Sequence, residues 1–265
     1  MVKKFFKRAY ILFLYIFLYA PIIVLAFYSF NNSRTRGAWT GFTFKWYLAM
    51  FQDRQIMTSL YYSLLIGVIA AVVATFIGTL AAIGINNMKP LPRTIVMNLT
   101  YLPVLNPDIV TGISFMLLFI FIRLRLGFLT LLLSHITFNI PYVILSVLPR
   151  VKQLDKNLYE AALDLGATPN LAFRKVILPE IMPGVITGLL FAFTLSLDDF
   201  VISFFNTGSG VSNLSITIYS MARRGINPKI NALSTLMFVS VLTLLIIVNI
   251  MMSHQKHSKI KEESR

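Results

Sequence analysis

Cysteine is absent from this chain of 265 residues. Disulfides, thiol nucleophiles and cysteine-ligated metal sites are therefore excluded. The sequence also has no Gly-x-x-x-x-Gly-Lys-Ser/Thr loop, so the chain does not bind and hydrolyse ATP by that route. Neither Gly-x-Ser-x-Gly nor His-Glu-x-x-His occurs, which weakens any hydrolase hypothesis. We expect no catalytic residue, no metal site and no cofactor in this chain.

Acidic residues are scarce, with ten Asp and Glu against 24 Lys and Arg, and the net charge is +14. A surplus of this size can indicate a nucleic-acid partner, but the basic residues here lie at the termini and in short loops. That distribution is typical of a membrane protein that obeys the positive-inside rule. We therefore expect contact with lipid and no contact with nucleic acid.

Apolar residues dominate what remains, at 57% of the chain, and the mean hydropathy is +0.75. Several apolar runs exceed the roughly 20 residues that a helix needs to cross a bilayer. The sequence predicts an all-α, polytopic membrane protein whose residues 1–265 form one transmembrane domain. Its six predicted spans are 9–30, 60–85, 94–122, 127–148, 181–205 and 230–252. The first run is longer than a signal-peptide core and lacks a cleavage site, so we expect an uncleaved span.

Orientation follows from the basic residues on the two sides of these spans. Fifteen Lys and Arg fall on the side of both termini and of the loop 150–180, and nine fall on the other side. Because the cytoplasmic side of a membrane protein carries the excess of basic residues, we expect both termini and that loop to be cytoplasmic.

Loop 150–180 is the longest polar interruption in the second half of the chain, and local rules predict two short helices within it. Asn157 followed by Glu160 is a capping-box pattern at the start of the first helix. Gly166 lies where that helix ends, in a turn that favours positive φ. A Thr-Pro pair at 168–169 restarts a helix, and Pro179 is expected to end it. Such a rigid helical loop between spans has the shape of a docking element.

Three of the ten acidic residues, Asp108, Asp198 and Asp199, fall inside predicted spans. A carboxylate in the bilayer costs about 2.5–3.5 kcal/mol on insertion scales, so its presence indicates a purpose. Pro103 and Pro107 break the helical ladder near the middle of span 3, where Asn106 is the expected cap of a restarted helix. Small residues recur every four positions in spans 2 and 5, and in span 2 this stripe predicts the close approach of a neighbouring helix. These are Ala70, Ala74, Gly78 and Ala82, then Gly184, Gly188, Ala192 and Ser196.

Bulky aromatic residues, including Trp39, Trp46 and Tyr47, lie in the external segment between spans 1 and 2. Interfacial anchoring is the simplest explanation, and cation binding by Trp46 or Tyr47 is the alternative. His135 in span 4 is expected to make a hydrogen-bonded contact between helices rather than to act as a ligand or proton relay.

The loop residues Glu160-Ala161-Ala162, Gly166, Phe173 and Leu178-Pro179 resemble the EAA loop of the permease subunits of binding-protein-dependent ABC importers. Val176 stands where that family has isoleucine. The resemblance implies the type I importer architecture and a coupling role for Glu160, Ala161, Ala162, Gly166, Leu178 and Pro179. It also implies a bacterial inner-membrane location, a homologous permease partner and an extracytoplasmic binding protein. Two ATPase subunits would bind the ATP and Mg.

The window 193–203 resembles span 5 of the permease subunits that import spermidine and putrescine, and the likeness extends to 46–47 and 106–108. It implies passage of a polyamine with Asp198, Asp199, Asp108, Trp46 and Tyr47 along the path. Carboxylates and aromatic faces are suitable counter-groups for a flexible cation, through ion pairs and cation–π contacts.

Other interpretations of the span carboxylates stay open. They could cap helices or form ion pairs, for example with Arg123 or Arg125. An ion-coupled secondary transporter would use them as proton or cation sites, and would work without ATPase subunits. An intramembrane enzyme using Asp198 or Asp199 is the weakest alternative, because the two are adjacent on one helix and no second catalytic group is evident.

Overall fold

The computed structural model describes residues 2–34, 38–225 and 227–263; within these ranges the chain forms helices joined by turns and loops, and the β-structure is one isolated bridge between Asn31 and Phe42. The all-α prediction is confirmed. The helices within these ranges are α1 Val2–Ser29, α2 Lys45–Phe51, α3 Arg54–Asn87, α4 Pro90–Leu105, α5 Asp108–Phe121, α6 Phe128–Gln153, α7 Lys156–Asp164, α8 Pro169–Ala172, α9 Leu178–Asp198, α10 Val201–Asn206, α11 Leu214–Arg223 and α12 Pro228–Glu263.

Four stretches are long and apolar enough to cross a membrane, and the bent pair α4–α5 makes a fifth if it is one span. The four are Phe6–Ser29, Arg54–Asn87, Phe128–Gln153 and Pro169–Asp198. With the bent pair, these stretches correspond to the first five predicted spans, although the fifth stretch ends at Asp198. The predicted sixth span, 230–252, falls in α12, and its last side chains lie outside the described residues.

The chain divides into two compact units, of which the first comprises residues up to Met57 and from Thr217 onward. In this unit α12 packs against α1 and α2. Trp46 is buried at 7% exposure, and its Nε1 donates to the Asn31 carbonyl oxygen at 2.7 Å. The Tyr47 hydroxyl shares a 2.7 Å hydrogen bond with Ser29 Oγ. Both aromatic side chains are therefore anchored by polar contacts.

The second unit, Thr58–Ile216, is built around α6, which packs against α9 and α4. The predicted small-residue stripes lie at its packing surfaces. A Cβ added at Gly78 would stand 2.7 Å from Val143 Cβ, and one at Gly188 would stand 3.2 Å from Val143 Cγ1. Glycine is required at Gly78 in particular, because real side chains do not approach that closely. The close-packing prediction for the stripe of span 2 is confirmed, and the stripe of span 5 packs closely as well.

Span 3 is broken as predicted, because α4 and α5 meet at a bend of 106°. The expected cap was wrong in detail. Pro107 rather than Asn106 occupies the N-cap position of α5 and makes no side-chain cap, and Asp108 is the first helical residue. Asn106 is instead the C-cap of α4: its backbone is extended, and its N–H bonds to the Leu102 carbonyl oxygen.

Span 5 is not the continuous helix 181–205 that its hydropathy predicts. Helix α9 ends at Asp198, and α10 begins at Val201. The break falls at Asp199, whose φ of −61° and ψ of 123° leave the helical region. The Asp199 carboxylate then accepts from the first-turn amides of α10, so capping competes successfully with continuation of α9.

Candidate functional site: the coupling loop and the helix breaks

The first helix of the loop, α7, is capped by Asp155, whose carboxylate accepts from the Asn157 amide at 3.0 Å. The predicted cap at Asn157 was therefore wrong, because an acidic residue two positions earlier already satisfies the exposed amide. Glu160 is therefore not part of a capping box. Glu160 and Ala161 are exposed on the helix, whereas Ala162 is half-buried.

Gly166 ends α7 with a φ of +84°, as predicted. The Ala167 amide bonds to the Ala162 carbonyl at 3.1 Å, and the Gly166 amide bonds to the Leu163 carbonyl at 2.9 Å. This pair of reversed bonds is a Schellman motif, which satisfies the last carbonyls of the helix. Because the left-handed conformation strains any residue with a Cβ, the turn depends on glycine here.

The second helix starts as predicted, with Thr168 Oγ1 accepting from the Leu171 amide at 3.4 Å and Pro169 as the first helical residue. It does not end at Pro179, which corrects the prediction. A π-helical turn over Phe173–Ile177 joins α8 to α9, and one helical span runs from Pro169 to Asp198.

The π-helical turn explains why Pro179 is tolerated. A proline in a regular helix clashes with the carbonyl four residues earlier and lacks a donor for it. Here the Leu178 amide bonds to the Phe173 carbonyl, five residues back, so the ladder is already widened where the proline enters. Consequently, the half-buried Leu178 and the exposed Pro179 lie inside a continuous helix that links the loop directly to span 5.

Exposed apolar side chains surround the tip of the loop. Leu165 is 89% exposed, and Leu158, Tyr159 and Leu171 are exposed by 36–48%. Polar loops seldom present such residues unless a partner covers them. The tip therefore combines an apolar surface with the exposed carboxylate of Glu160.

The span carboxylates separate into two kinds of environment. Asp108 begins α5 and is exposed, and Asp198 ends α9 and is exposed. The side chain of Asp199, by contrast, is only 7% exposed. The helices that follow the two breaks pack together, since Asn206 Nδ2 of α10 donates to the Gly112 carbonyl of α5 at 3.1 Å. The breaks in spans 3 and 5 thus belong to one packed assembly.

Asp199 is the centre of a buried polar network. Its carboxylate accepts from the Ile202 amide at 3.1 Å, the Ser203 amide at 2.8 Å and the Ser203 hydroxyl at 2.8 Å. Asn213 Nδ2 donates to Ser203 Oγ at 2.7 Å, and His135 Nε2 lies 2.9 Å from Ser203 Oγ and 3.7 Å from the carboxylate. His135 therefore makes the predicted hydrogen-bonded helix contact.

Sequence reasoning missed Ser203 and Asn213. The spacing of Asp199 and Ser203 is that of a helix cap and its third or fourth residue, and this was the available signal. The Ser203 hydroxyl has one hydrogen, which it donates to Asp199. Its oxygen therefore accepts from both Asn213 and His135, so the ring proton of His135 lies on Nε2. The capping interpretation of Asp199 matches this geometry, with His135 in place of Arg123 or Arg125.

Comparison with known proteins shows which family the chain belongs to. Residues 74–260 match the family described as binding-protein-dependent transport system inner membrane component. The chain belongs to this family. It is a multi-pass permease of the bacterial inner membrane, and the family that the resemblance implied is confirmed.

Curated relatives cover almost the whole permease. The Escherichia coli K12 spermidine/putrescine transport system permease protein PotC is 39% identical over 246 residues, which are 93% of each chain. Its Haemophilus influenzae counterpart is 36% identical over 97% of this chain and 100% of its own. The E. coli K12 putrescine transport system permease protein PotI is 38% identical over 94% of this chain and 91% of its own.

Solved structures show the same fold. A chain of a bacterial ABC transporter that imports the acidic polysaccharide alginate matches with a TM-score of 0.69, at 19% identity, over 94% of this permease and 97% of that chain. A chain of an amino acid ABC transporter with histidines matches with a TM-score of 0.56, at 18% identity, over 76% and 94%. The permease therefore has the fold of ABC importer permease chains.

Proposed function

We propose that this permease is one of two homologous membrane subunits of an ABC importer that moves spermidine or putrescine into the cytoplasm. The observation that supports this most strongly is the 39% identity, over 93% of both chains, to a spermidine/putrescine permease. The ion-coupled alternative is not favoured, because the chain belongs to a family of binding-protein-dependent transport components and its named relatives are transport system permeases.

In the proposed assembly the permease has six spans with both termini in the cytoplasm. The translocation path runs along the interface with the homologous permease, and a polyamine-binding protein delivers the substrate outside. Two ATPase subunits bind ATP and Mg and hold the loop tips of the two permeases. The exposed apolar tip around Leu165 is a suitable contact, and the continuous helix Pro169–Asp198 would transmit its movement to the break at Asp199.

Within the path, we assign different tasks to the carboxylates. Asp108 and Asp198 are exposed at the helix breaks, so they are free to pair with the ammonium groups of the substrate. Asp199 holds the break in place through Ser203 and also contributes negative charge. We also assign Trp46 and Tyr47 to the path as its aromatic residues. The Lys45 ammonium lies 4.5 Å from the centre of the Trp46 ring, so this ring can contact a cation.

Polyamine-stimulated ATP hydrolysis tests the substrate assignment. We expect the purified complex with its binding protein to hydrolyse ATP faster when spermidine or putrescine is added, because substrate delivery drives the cycle. Lysine is a suitable control, because it keeps two ammonium groups but its carboxylate lowers its net positive charge below that of a polyamine. Equal stimulation by lysine, or stimulation by neither polyamine, would contradict a polyamine importer.

Single cysteines test the proposed orientation, because the chain has none of its own and gives no background labelling. Gln52 and Asn170 are both exposed and lie on opposite predicted sides. In intact spheroplasts we expect an impermeant maleimide to label Gln52→Cys and to label Asn170→Cys only after the membrane is broken. The reverse pattern would rule out cytoplasmic termini.

A further inference from the structure

The first unit contains a cavity of about 480 Å³ at the starts of α3 and α12. Buried Trp46 and Ile56 line it, with Arg34, Asp53, Arg224 and Lys229 as its charged residues. In the proposed orientation the starts of α3 and α12 face the extracytoplasmic side. Trp46 is also assigned to the substrate path above, but neither the path nor the coupling loop uses the charged residues of this cavity.

Asp53 is the acidic residue among the described residues that line the cavity, and both of its carboxylate oxygens accept hydrogen bonds. Asp53 Oδ2 accepts from Lys229 Nζ at 2.8 Å, and Oδ1 accepts from the Gln55 and Ile56 amides at 3.1 and 3.3 Å. The hydrogen bond from Lys229 lowers the pKa of Asp53 below its ordinary value, so the carboxyl group is ionised at neutral pH. Asp53 therefore neutralises Lys229 and caps α3. Its negative charge does not balance the positive charges of Arg34 and Arg224.

Arg34 and Arg224 are exposed at the cavity, and within the described part of the chain neither guanidinium has an ion-pair partner or hydrogen-bond acceptor. The N-termini of α3 and α12 add the positive ends of two helix dipoles. A polyamine would be repelled by this arrangement. The cavity instead fits a carboxylate, which an arginine side chain can bind through two parallel hydrogen bonds.

We propose that this cavity receives an acidic side chain of the extracytoplasmic binding protein when that protein docks. The proposal rests on the proposed function, which places the cavity on the side where the binding protein arrives. Charge complementarity of this kind mainly accelerates docking and selects the correct partner. Arg34 and Arg224 would supply the attraction, and the Asp53–Lys229 pair would keep the wall of the cavity in place.

Arg224→Glu in the complete importer tests the proposal. We measure the binding-protein concentration that gives half-maximal stimulation of ATP hydrolysis, together with its dependence on salt. The expected result is an increase of about tenfold in that concentration, because repulsion replaces attraction at the contact. The maximal rate and the rate without binding protein are expected to stay unchanged. Raising the salt concentration should weaken docking of the unaltered importer and have a smaller effect on the variant.

The matched control is Arg125→Glu, the same charge reversal at an exposed arginine that does not line the cavity. An equal shift for both variants, or no shift for Arg224→Glu, would overturn the proposal. Arg224→Gln, which removes the charge without reversing it, should give a smaller shift in the same direction even if the Glu variant assembles poorly.

A defect seen without binding protein that follows the anionic lipid content of the vesicles would assign the cavity to a lipid headgroup and overturn the proposal. If the unaltered importer is not stimulated by its binding protein, the proposed function itself fails.

Discussion

Replacing Gly166 by proline is expected to abolish polyamine uptake while the permease stays in the membrane. Proline fixes φ near −65°, whereas Gly166 has a φ of +84°, and proline also lacks the N–H that bonds to the Leu163 carbonyl. The turn that joins α7 to the helix of span 5 would be lost. Uptake into cells and the amount of permease in isolated membranes are the two measurements.

A milder pair of variants separates the turn from general effects of substitution. Gly166→Ala must place a Cβ in the left-handed region at a cost of about 1 kcal/mol, and we expect reduced uptake. Gly84→Ala is the matched control, because Gly84 lies within α3 and no atom stands within 4 Å of the added Cβ. Normal uptake by Gly166→Pro would remove the coupling assignment of the turn.

Glu160→Lys addresses the same surface without changing the backbone. Glu160 is exposed, so the charge reversal leaves the fold intact and alters only what the loop tip presents to the ATPase. Uptake is expected to be lost and ATP hydrolysis to become insensitive to substrate. Unimpaired uptake would show that Glu160 lies outside the ATPase contact.

Asp199→Ala is expected to destabilise the purified complex, whereas Asp198→Asn is expected to leave its stability unchanged and reduce uptake. The alanine variant removes the acceptor of three hydrogen bonds and leaves the Ser203 amide and hydroxyl without it, at a cost of about 2 kcal/mol. Asp198 is exposed and ends α9, so asparagine there removes a charge that we propose faces the path.

The thermal unfolding midpoint and the uptake rate, measured on the same preparations, distinguish these two roles. The expected order of midpoints is Asp199→Ala below Asp198→Asn, with Asp198→Asn equal to the unaltered complex. If Asp199→Ala unfolds at the unaltered temperature, the network around Ser203 does not hold the break. If Asp198→Asn takes up polyamine normally, Asp198 is not a substrate contact.

Features that depend on neighbouring residues were predictable from the sequence. The left-handed turn at Gly166 and the restart at Thr168 follow from backbone preferences that act within a few residues. The small-residue stripe through Gly78 was predictable because its four-residue period is helical whatever it packs against. The permease family was predictable from the spacing of Glu160, Gly166 and Pro179, and the family match confirms it.

Local competition accounts for the errors. Asp155 and Asn157 are both good caps, and only the structure shows which one accepts a hydrogen bond. Pro179 ends a regular helix by rule, but the preceding π-helical turn removes the clash on which that rule depends. At Asp199 the apolar run continues through the break, so hydropathy could not reveal that capping of α10 interrupts the helix.

Long-range pairs were beyond any local pattern. Asp53 and Lys229 are 176 positions apart, and their ion pair depends on how α12 returns to the start of α3. His135 and Ser203 are 68 positions apart; the sequence predicted a helix contact for His135 but did not identify its partner. The distinction between the exposed Asp198 and the buried Asp199 likewise required the three-dimensional structure.

Spermidine uptake by reconstituted vesicles tests the central claim most directly, which is that this permease forms a path powered by other subunits. Vesicles containing both permeases and the ATPase, with ATP inside and binding protein outside, are expected to accumulate spermidine and to be unaffected by an uncoupler. Vesicles containing only this permease are expected to accumulate none. Accumulation by this permease alone, driven by an ion gradient and abolished by an uncoupler, would contradict the claim.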